Sequence, residues 1–250
     1  MHPPYDTAAD PDRPVTLDRR EGPYGEVVLR RRGAGDPGPG PDTDTAQPVF
    51  EIIANGCFLM DTSDGRSERL LIRAALNALP AGRQAPALLI GGLGVGFSLA
   101  EAAAEPRWGR IAVVEREEAV IDWHRTGPLG RISAAALADP RTEVIKADLV
   151  AHLHSGTTAA SEPYDALCLD IDNGPDWTVT EDNDGLYSPA GLAACRTRLA
   201  PGGVLAVWSA QPSSAFEEAL RNAGFTGVRT EEISVARGVP DVVHLAIRGA

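Results

Sequence analysis

The stretch LLIGGLGVGFSLAEAAAEPRWGRIAVVE, from Leu88 to Glu115, decides the fold of this chain. An apolar run ends in clustered glycines, an alanine-rich segment follows, and a second apolar run ends in glutamate. We predict strands at 87–90 and 111–115 with a helix at 97–104 between them. Glycines between a strand and a helix let the backbone turn tightly and approach a ligand closely. The same glycines could instead serve only the packing of the turn.

The alternation of strands and helices continues beyond this unit. Apolar runs that predict further strands lie at 143–146, 166–170, 204–208, 228–233 and 242–247. Segments with helical periodicity separate them, at 119–125, 132–137, 149–154, 189–199 and 213–223. Strands that are apolar on both faces and separated by helices form a doubly wound, mainly parallel sheet. We therefore predict an α/β, Rossmann-like domain over residues 65–250, with a mostly parallel seven-stranded sheet.

The N-terminal part of the chain has a different pattern. Residues 1–20 are polar and rich in Pro and Asp, which predicts a disordered tail. Asn55-Gly56 separates two short apolar runs, and Asn-Gly in that position is a strong hairpin signal. We therefore predict a small N-terminal β-strand and hairpin element over residues 21–64.

Composition narrows the class of partner. The formal net charge of −12 argues against a nucleic acid, because binding phosphates requires a concentrated Lys/Arg surface. An acidic surface suits a small cationic molecule such as a polyamine. The cysteines, Cys57, Cys168 and Cys195, have no metal-binding or CxxC spacing, which is typical of reduced thiols in the cytoplasm. We find no signal-peptide pattern and no apolar run of about 20 residues, so we expect a cytoplasmic protein without a metal site or membrane contact.

Two acidic residues follow the second and third predicted strands. Glu115 lies about 20 positions beyond the glycine turn, where an acid can accept hydrogen bonds from a ribose diol. It could equally be an acid favoured by a helix N-terminus. Asp148 could contact the amine of a bound base, or it could be the N-cap of the helix at 149–154.

The segment LDIDNGPDW, residues 169–177, follows the fourth strand. Ligands of open α/β sheets bind beyond the carboxyl ends of the strands. Asp170, Asp172 and Asp176 lie together there, and grouped carboxylates raise one another's pKa, which favours a base or an amine-binding site. Asp, Asn, Gly and Pro are also ordinary turn residues. His124, His152 and His154 fall on predicted helices, where we expect surface positions.

These motifs together resemble the spermidine synthases, polyamine aminopropyltransferases that share the class I methyltransferase fold. The resemblance rests on LLIGGLGVG, VVE, the Ala147-Asp148 pair, YDALCLDID, LYSPAGL and LAPGGVLAVW. The N-terminal segments GPYGEVVLRR, FEIIANGCFLMDT and SERLLIRAAL are similar to the β-hairpin region of that family. The similarity covers about residues 22–225.

The resemblance implies a set of site residues. Glu115 would hold the ribose hydroxyls of S-adenosylmethionine or its decarboxylated form, and Asp148 would contact the adenine. Asp170 would help to deprotonate the attacking amine, and Asp170 or Asp172 would orient the acceptor. The family also implies a homodimer. The glycines of the turn would line the cofactor: Gly91, Gly92, Gly94 and Gly96.

The chain departs from the family pattern at three places. Before the glycine loop, SDGRSER replaces the family's Gln- or Tyr-rich polyamine contacts. The family's glycine loop reads GGGDGG, with an Asp that binds the amine of the aminopropyl group, and Gly94 takes that position here. The family's DSSDP is replaced by Asp170-Ile171-Asp172-Asn173-Gly174-Pro175. Loss of the anion at Gly94 weakens the preference for the decarboxylated cofactor and removes repulsion of the carboxylate of intact S-adenosylmethionine.

Three functions follow from these observations. The first is a spermidine synthase-like transferase that uses S-adenosylmethionine for methyl or aminocarboxypropyl transfer to a small nucleophile. The second is a true aminopropyltransferase that makes spermidine from putrescine and decarboxylated S-adenosylmethionine. The third is a non-catalytic nucleoside-binding scaffold, which the loss of the acid at Gly94 favours and the retention of Glu115, Asp148 and Asp170 opposes.

Overall fold

The chain divides into two compact units, Met1–Asp64 and Gly65–Ala250. A computed structural model describes their residues 13–34, 48–155, 162–171, 173–176, 183–233 and 240–249. Each unit is built around its own sheet.

The N-terminal unit contains a four-stranded antiparallel sheet in the order β1-β2-β3-β4. Asn55 and Gly56 connect its last two strands with φ of 49° and 78°, the left-handed geometry that favours these residues in a tight hairpin. The predicted hairpin is therefore present, within a larger sheet. The strands are β1 (Val15–Gly22), β2 (Gly25–Ala34), β3 (Pro48–Ala54) and β4 (Cys57–Asp61).

The first strand corrects the prediction of a disordered tail over residues 1–20. Backbone pairing with β2 runs from Val15 to Gly22. The polar composition misled the prediction because β1 is an edge strand with mostly exposed side chains, and edge strands commonly carry charges. Residues 1–12 of the predicted tail lie outside the described residues.

The second unit contains a seven-stranded sheet in the order β10-β11-β9-β8-β5-β6-β7. The neighbours from β9 to β7 pair in parallel, whereas β11 is antiparallel to both β9 and β10. The predicted α/β fold with a mostly parallel sheet is confirmed. The strands are β5 (Ala87–Gly91), β6 (Arg110–Glu115), β7 (Thr142–Lys146), β8 (Tyr164–Leu169), β9 (Leu199–Ser209), β10 (Phe225–Ile233) and β11 (Asp241–Arg248).

Helices flank these strands in the sequence and cover the apolar core. Consecutive residues of β5, from Leu88 to Ile90, are all 0% exposed, which shows that the strand is buried on both of its faces. The helices are α1 (Arg66–Ala78), α2 (Phe97–Ala104), α3 (Glu118–Arg125), α4 (Gly130–Leu137), α5 (Leu149–Ser155), α6 (Asp184–Tyr187), α7 (Pro189–Arg198) and α8 (Ser214–Asn222).

The parallel register brings the ends of three strands together. Gly91, the last residue of β5, pairs with Val114 of β6 and with Leu169 of β8. The backbone N–H of Asp170 then donates to the carbonyl of Gly91 at 3.0 Å. The glycine turn, Glu115 and Asp170 therefore lie at one edge of the sheet, the edge where α/β proteins bind ligands.

Candidate active site

The glycine turn needs glycine for steric as well as conformational reasons. Gly92, Gly94 and Gly96 have φ of 90°, 50° and 98°, all in the left-handed region. A Cβ on Gly92 would stand 2.5 Å from the backbone oxygen of Asp170. The turn therefore packs directly on the end of β8, with no room for a side chain between them. Gly91 is equally confined, since a Cβ there would lie 2.5 Å from Leu149 Cδ2.

Glu115 holds the turn through its carboxylate. Its Oε2 accepts the backbone N–H of Leu93 at 3.0 Å, and its Oε1 accepts that of Glu117 at 2.8 Å. Burial raises the pKa of this carboxyl, and the backbone N–H donors together with the charge of Arg116 only partly oppose the rise. Each carboxylate oxygen can accept a further hydrogen bond. The ribose role of Glu115 stays a prediction. The bond from Glu117, the N-cap residue of α3, agrees with the alternative of an acid at a helix N-terminus, and the bond from Leu93 adds a role in the glycine turn.

Asp148 lies next to Glu115 but also caps a helix. The backbone N–H of Ala147 donates to the carbonyl of Glu115 at 3.1 Å, which brings the two acidic residues to the same edge. Asp148 Oδ1 accepts the backbone N–H of Ala151 at 2.8 Å, the N-cap arrangement for α5. The capping alternative is therefore observed. Contact with an adenine through the second oxygen stays a prediction.

Asp170 follows β8 at the edge of the sheet and forms no salt bridge with any of the described residues. It is half-buried, and its Oδ2 accepts a hydrogen bond from Ser98 Oγ at 3.2 Å. Burial raises the pKa of Asp170 to about 6, although the hydrogen bond from Ser98 lowers it in part. A carboxylate with such a pKa takes up a proton more readily than an ordinary aspartate, so its chemistry is that of a general base near neutral pH.

The rest of the acidic segment is only partly described. Asp172, the other predicted catalytic residue, lies outside the described residues. The following turn packs on the end of β9, because the backbone N–H of Ala210 donates to the carbonyl of Asn173 at 3.0 Å. A Cβ on Gly174 would stand 2.2 Å from Ser209 Oγ. Asp176 is exposed on this turn.

His124 is a site residue that sequence reasoning missed. The prediction of a surface position is wrong, because His124 is 1% exposed. Its Nε2 lies 2.9 Å from the carbonyl oxygen of Gly94, and its Nδ1 lies 2.7 Å from Ser133 Oγ. A carbonyl only accepts, so Nε2 carries the proton and donates to Gly94. Burial lowers the pKa of His124, which favours this neutral form.

The position of His124 could have been found from helical spacing. Val120, four residues earlier on α3, is buried, and residues four apart share a helix face. His124 also explains one glycine, since a Cβ on Gly96 would lie 2.8 Å from its Cε1. His152 and His154 are partly and fully exposed, respectively.

Other kinds of site were also considered. Among the described residues, no group of three or more His, Cys, Asp or Glu side chains is placed to hold a metal ion. In the same part of the chain, every helix is too short or too polar to cross a bilayer. Cys168 and Cys195 are buried, whereas Cys57 is exposed.

Comparison with known proteins identifies the fold. The chain matches no protein-family model and no curated protein sequence. A crystal structure of spermidine synthase from Thermotoga maritima matches with a TM-score of 0.67 and 16% identity, over 94% of this chain and 73% of that one. A spermidine synthase in complex with the transition-state analogue AdoDATO matches with a TM-score of 0.68 and 16% identity, over 94% of this chain and 74% of that one. The chain therefore has a spermidine synthase-like fold.

Proposed function

We propose that this protein is a transferase of the spermidine synthase-like group that uses S-adenosylmethionine and a small nucleophilic acceptor, an amine in the simplest case. The observation that carries the proposal is the Asp170 carboxylate. It follows β8 directly, touches the glycine turn through its backbone, and has a pKa raised to about 6 by burial. A carboxyl whose pKa is raised by burial, at the sheet edge where α/β proteins bind ligands, is typical of a functional site.

The residues around Asp170 fit an adenosyl ligand. Gly92 and Gly94 carry no side chain that would keep a ligand away from the backbone of the turn. Glu115 would accept the ribose hydroxyls with the lone pairs that Leu93 and Glu117 leave available. The Asp148 carboxylate would accept a hydrogen bond from the exocyclic amine of adenine. His124 would keep the turn in shape by holding the carbonyl of Gly94.

The reaction requires little from the protein beyond alignment and one base. The sulfonium of S-adenosylmethionine supplies an activated carbon with a good leaving group. Asp170 would accept the proton of the acceptor, and the turn and the sheet edge would hold the two reactants in line. The Asp170 carboxyl is ionised above about pH 6, so it can accept this proton at neutral pH.

The products of turnover identify the group that moves. Transfer of the methyl group releases S-adenosylhomocysteine, whereas transfer of the longer chain releases methylthioadenosine. We therefore suggest incubation of the protein with either form of the cofactor and a panel of amines that includes putrescine, with mass spectrometry of the nucleoside product. A transferase releases one of these two nucleosides only when an acceptor is present.

The variant Asp170→Asn distinguishes a catalytic transferase from a non-catalytic nucleoside-binding scaffold. Loss of the base should lower turnover by about 10²- to 10⁴-fold. Calorimetric titration should show nearly unchanged affinity for the cofactor. Glu218→Gln, which changes an exposed acid on α8 away from the candidate site, is the matched control and should keep its activity. Cofactor binding by the wild type without turnover on any acceptor would instead favour the non-catalytic scaffold, and binding of neither cofactor would contradict the proposal.

Gly94 decides which form of the cofactor the site prefers. With no acid at this position, the intact cofactor should bind more tightly than the decarboxylated form. One structural neighbour is a spermidine synthase in complex with the transition-state analogue AdoDATO, so both forms of the cofactor should be tested. Gly94→Asp should shift the ratio of the two dissociation constants towards the decarboxylated cofactor by about tenfold, the worth of one charged hydrogen bond.

The two substitutions at Gly94 use the side chains that strain this backbone least. Gly94 has φ of 50°, which Asp and Asn tolerate better than other side chains. Gly94→Asn is the matched control, since it adds similar volume without the charge. A preference of the wild type for the decarboxylated form would return the interpretation to a true aminopropyltransferase. Equal effects of Asp and Asn would show that charge at this position does not select the cofactor.

A further inference from the structure

Ser98 is a buried hydroxyl that lies between Asp170 and the first turn of α1. It is the second residue of α2 and is 4% exposed. Its Oγ lies 3.2 Å from Asp170 Oδ2 and 3.4 Å from the backbone oxygen of Glu68. The hydroxyl therefore has two acceptors within reach but only one proton to donate.

The charge of Asp170 decides which acceptor receives that proton. When Asp170 is ionised, the hydroxyl donates to its carboxylate, because bonds to charged acceptors are the stronger ones. When a proton resides on Asp170 Oδ2, the carboxyl becomes a donor and the Ser98 oxygen accepts from it. The proton of Ser98 is then free to turn to the carbonyl of Glu68. In both states the Ser98 oxygen and Asp170 Oδ2 keep a hydrogen bond to each other.

We propose that Ser98 is the positioning residue of Asp170, a reversible hydrogen-bond partner that serves both the carboxylate and the acid. The proposal rests on the function proposed above, in which Asp170 is the base. In that step the bond between the acceptor's nucleophilic atom and its hydrogen breaks, and the proton passes to the Asp170 carboxylate. The electron pair left on the nucleophile forms the bond to carbon, and the carbon–sulfur bond electrons stay on sulfur.

The burial of the group explains why a two-way partner matters. An unpaired polar atom in a desolvated site is costly, and a general base must exist in both protonation states during each turnover. A donor that could not also accept, such as an arginine, would hold Asp170 as the carboxylate only. An alanine would leave both states without the bond. A hydroxyl is the smallest side chain that serves both.

The test measures the titration of Asp170 directly. Carbon-13 NMR of protein labelled at the aspartate carboxyl carbons would follow Asp170, with Asp170→Asn identifying its resonance. Ser98→Ala should raise the titration midpoint by about one pH unit, because the lost bond favoured the ionised form. Ser98→Thr keeps a hydroxyl and should bring the midpoint back towards the wild-type value. Ser98→Cys replaces the hydroxyl by a thiol of similar size that donates more weakly. Its midpoint should lie between those of the wild type and Ser98→Ala.

The activity profile provides a second readout that packing alone would not move. The acid limb of the pH profile of kcat should shift to higher pH in Ser98→Ala by the same amount as the NMR midpoint, and Ser98→Thr should reverse the shift. An unchanged Asp170 midpoint in both Ser98→Ala and Ser98→Cys overturns the inference, even if the enzyme is active. If the Asp170 midpoint shifts in Ser98→Ala but the wild type has no turnover with any acceptor, the pairing of Ser98 with Asp170 is supported and only the proposed function is contradicted.

Discussion

Buried or half-buried acids occur in both units of this protein, and their surroundings are opposite. In the N-terminal sheet, Glu51 is 5% exposed and lies 2.5 Å from Arg30 Nε and 2.9 Å from Arg32 Nε. Arg32 Nη2 also lies 2.6 Å from Asp61. At the edge of the seven-stranded sheet, Glu115 and Asp170 form no salt bridge with any of the described residues and are held by N–H and O–H donors.

The pKa directions follow this difference. Burial works to raise the pKa of Asp61, but the Ser63 hydroxyl and the Arg32 guanidinium together bring it below its ordinary value. Burial raises the pKa of Glu115 and takes that of Asp170 to about 6. Backbone N–H donors and the Arg116 charge at Glu115, and the Ser98 hydroxyl at Asp170, offset only part of the desolvation. An acid paired with arginine is fixed as a structural anion. An acid held by neutral donors keeps the ability to take up a proton, which is what catalysis requires.

Glu51→Gln should produce the largest change in stability. It leaves Arg30 and Arg32 without their shared carboxylate, and breaking a buried ion pair typically costs 3–5 kcal/mol. We expect about 3 kcal/mol, at the low end of that range, because the arginine side chains remain partly solvated. Urea unfolding would measure the loss, and hydrogen exchange of the amides in β2 and β3 would locate it.

The control for Glu51 is an acid of the same sheet that is exposed. Glu21→Gln on β1 should change the free energy of unfolding by less than about 0.5 kcal/mol, as is usual for exposed positions. If Glu51→Gln were as mild as this control, the arginines would not be stabilising a buried anion and the contrast between the two groups of acids would fail.

Asp170→Asn should raise the free energy of unfolding, and by less than Glu51→Gln lowers it. Its carboxyl has a higher pKa in the folded state than the ordinary value of 3.8, so the folded state binds more protons between about pH 4 and pH 6. The wild type therefore loses stability as the pH rises through that window. The neutral Asn avoids this loss, so the variant should be more stable by about 2 kcal/mol at pH 8 and nearly equal to the wild type near pH 4.

Chemical denaturation at the two pH values would check this expectation. The exposed Glu218→Gln is the control for removal of an acid away from the candidate site. Destabilisation by Asp170→Asn at pH 8 would mean that the carboxylate contributes to the fold in the way that Glu51 does. Stabilisation together with lost turnover would place Asp170 among residues that trade stability for activity.

Much of the second unit could be predicted because its signals are local. Strands buried on both faces are continuous apolar runs, and the glycines between β5 and α2 mark the turn without ambiguity. The N-terminal strand β1 was missed for the complementary reason. Its side chains are charged and mostly exposed, and only the backbone pairing with β2 makes it a strand.

The order of residues along the chain was enough to establish the α/β class, the glycine turn and the acids that follow the strands, because each depends on spacing within a short segment. Tertiary structure alone decided how those acids are held. Ser98 and Asp170 are 72 positions apart, and His124 and Gly94 are 30 apart. Their hydrogen bonds depend on the parallel register of β5, β6 and β8. Desolvation and the choice of hydrogen-bond partners decide whether a carboxyl group stays ionised or can take up a proton near neutral pH. Both come from that three-dimensional arrangement.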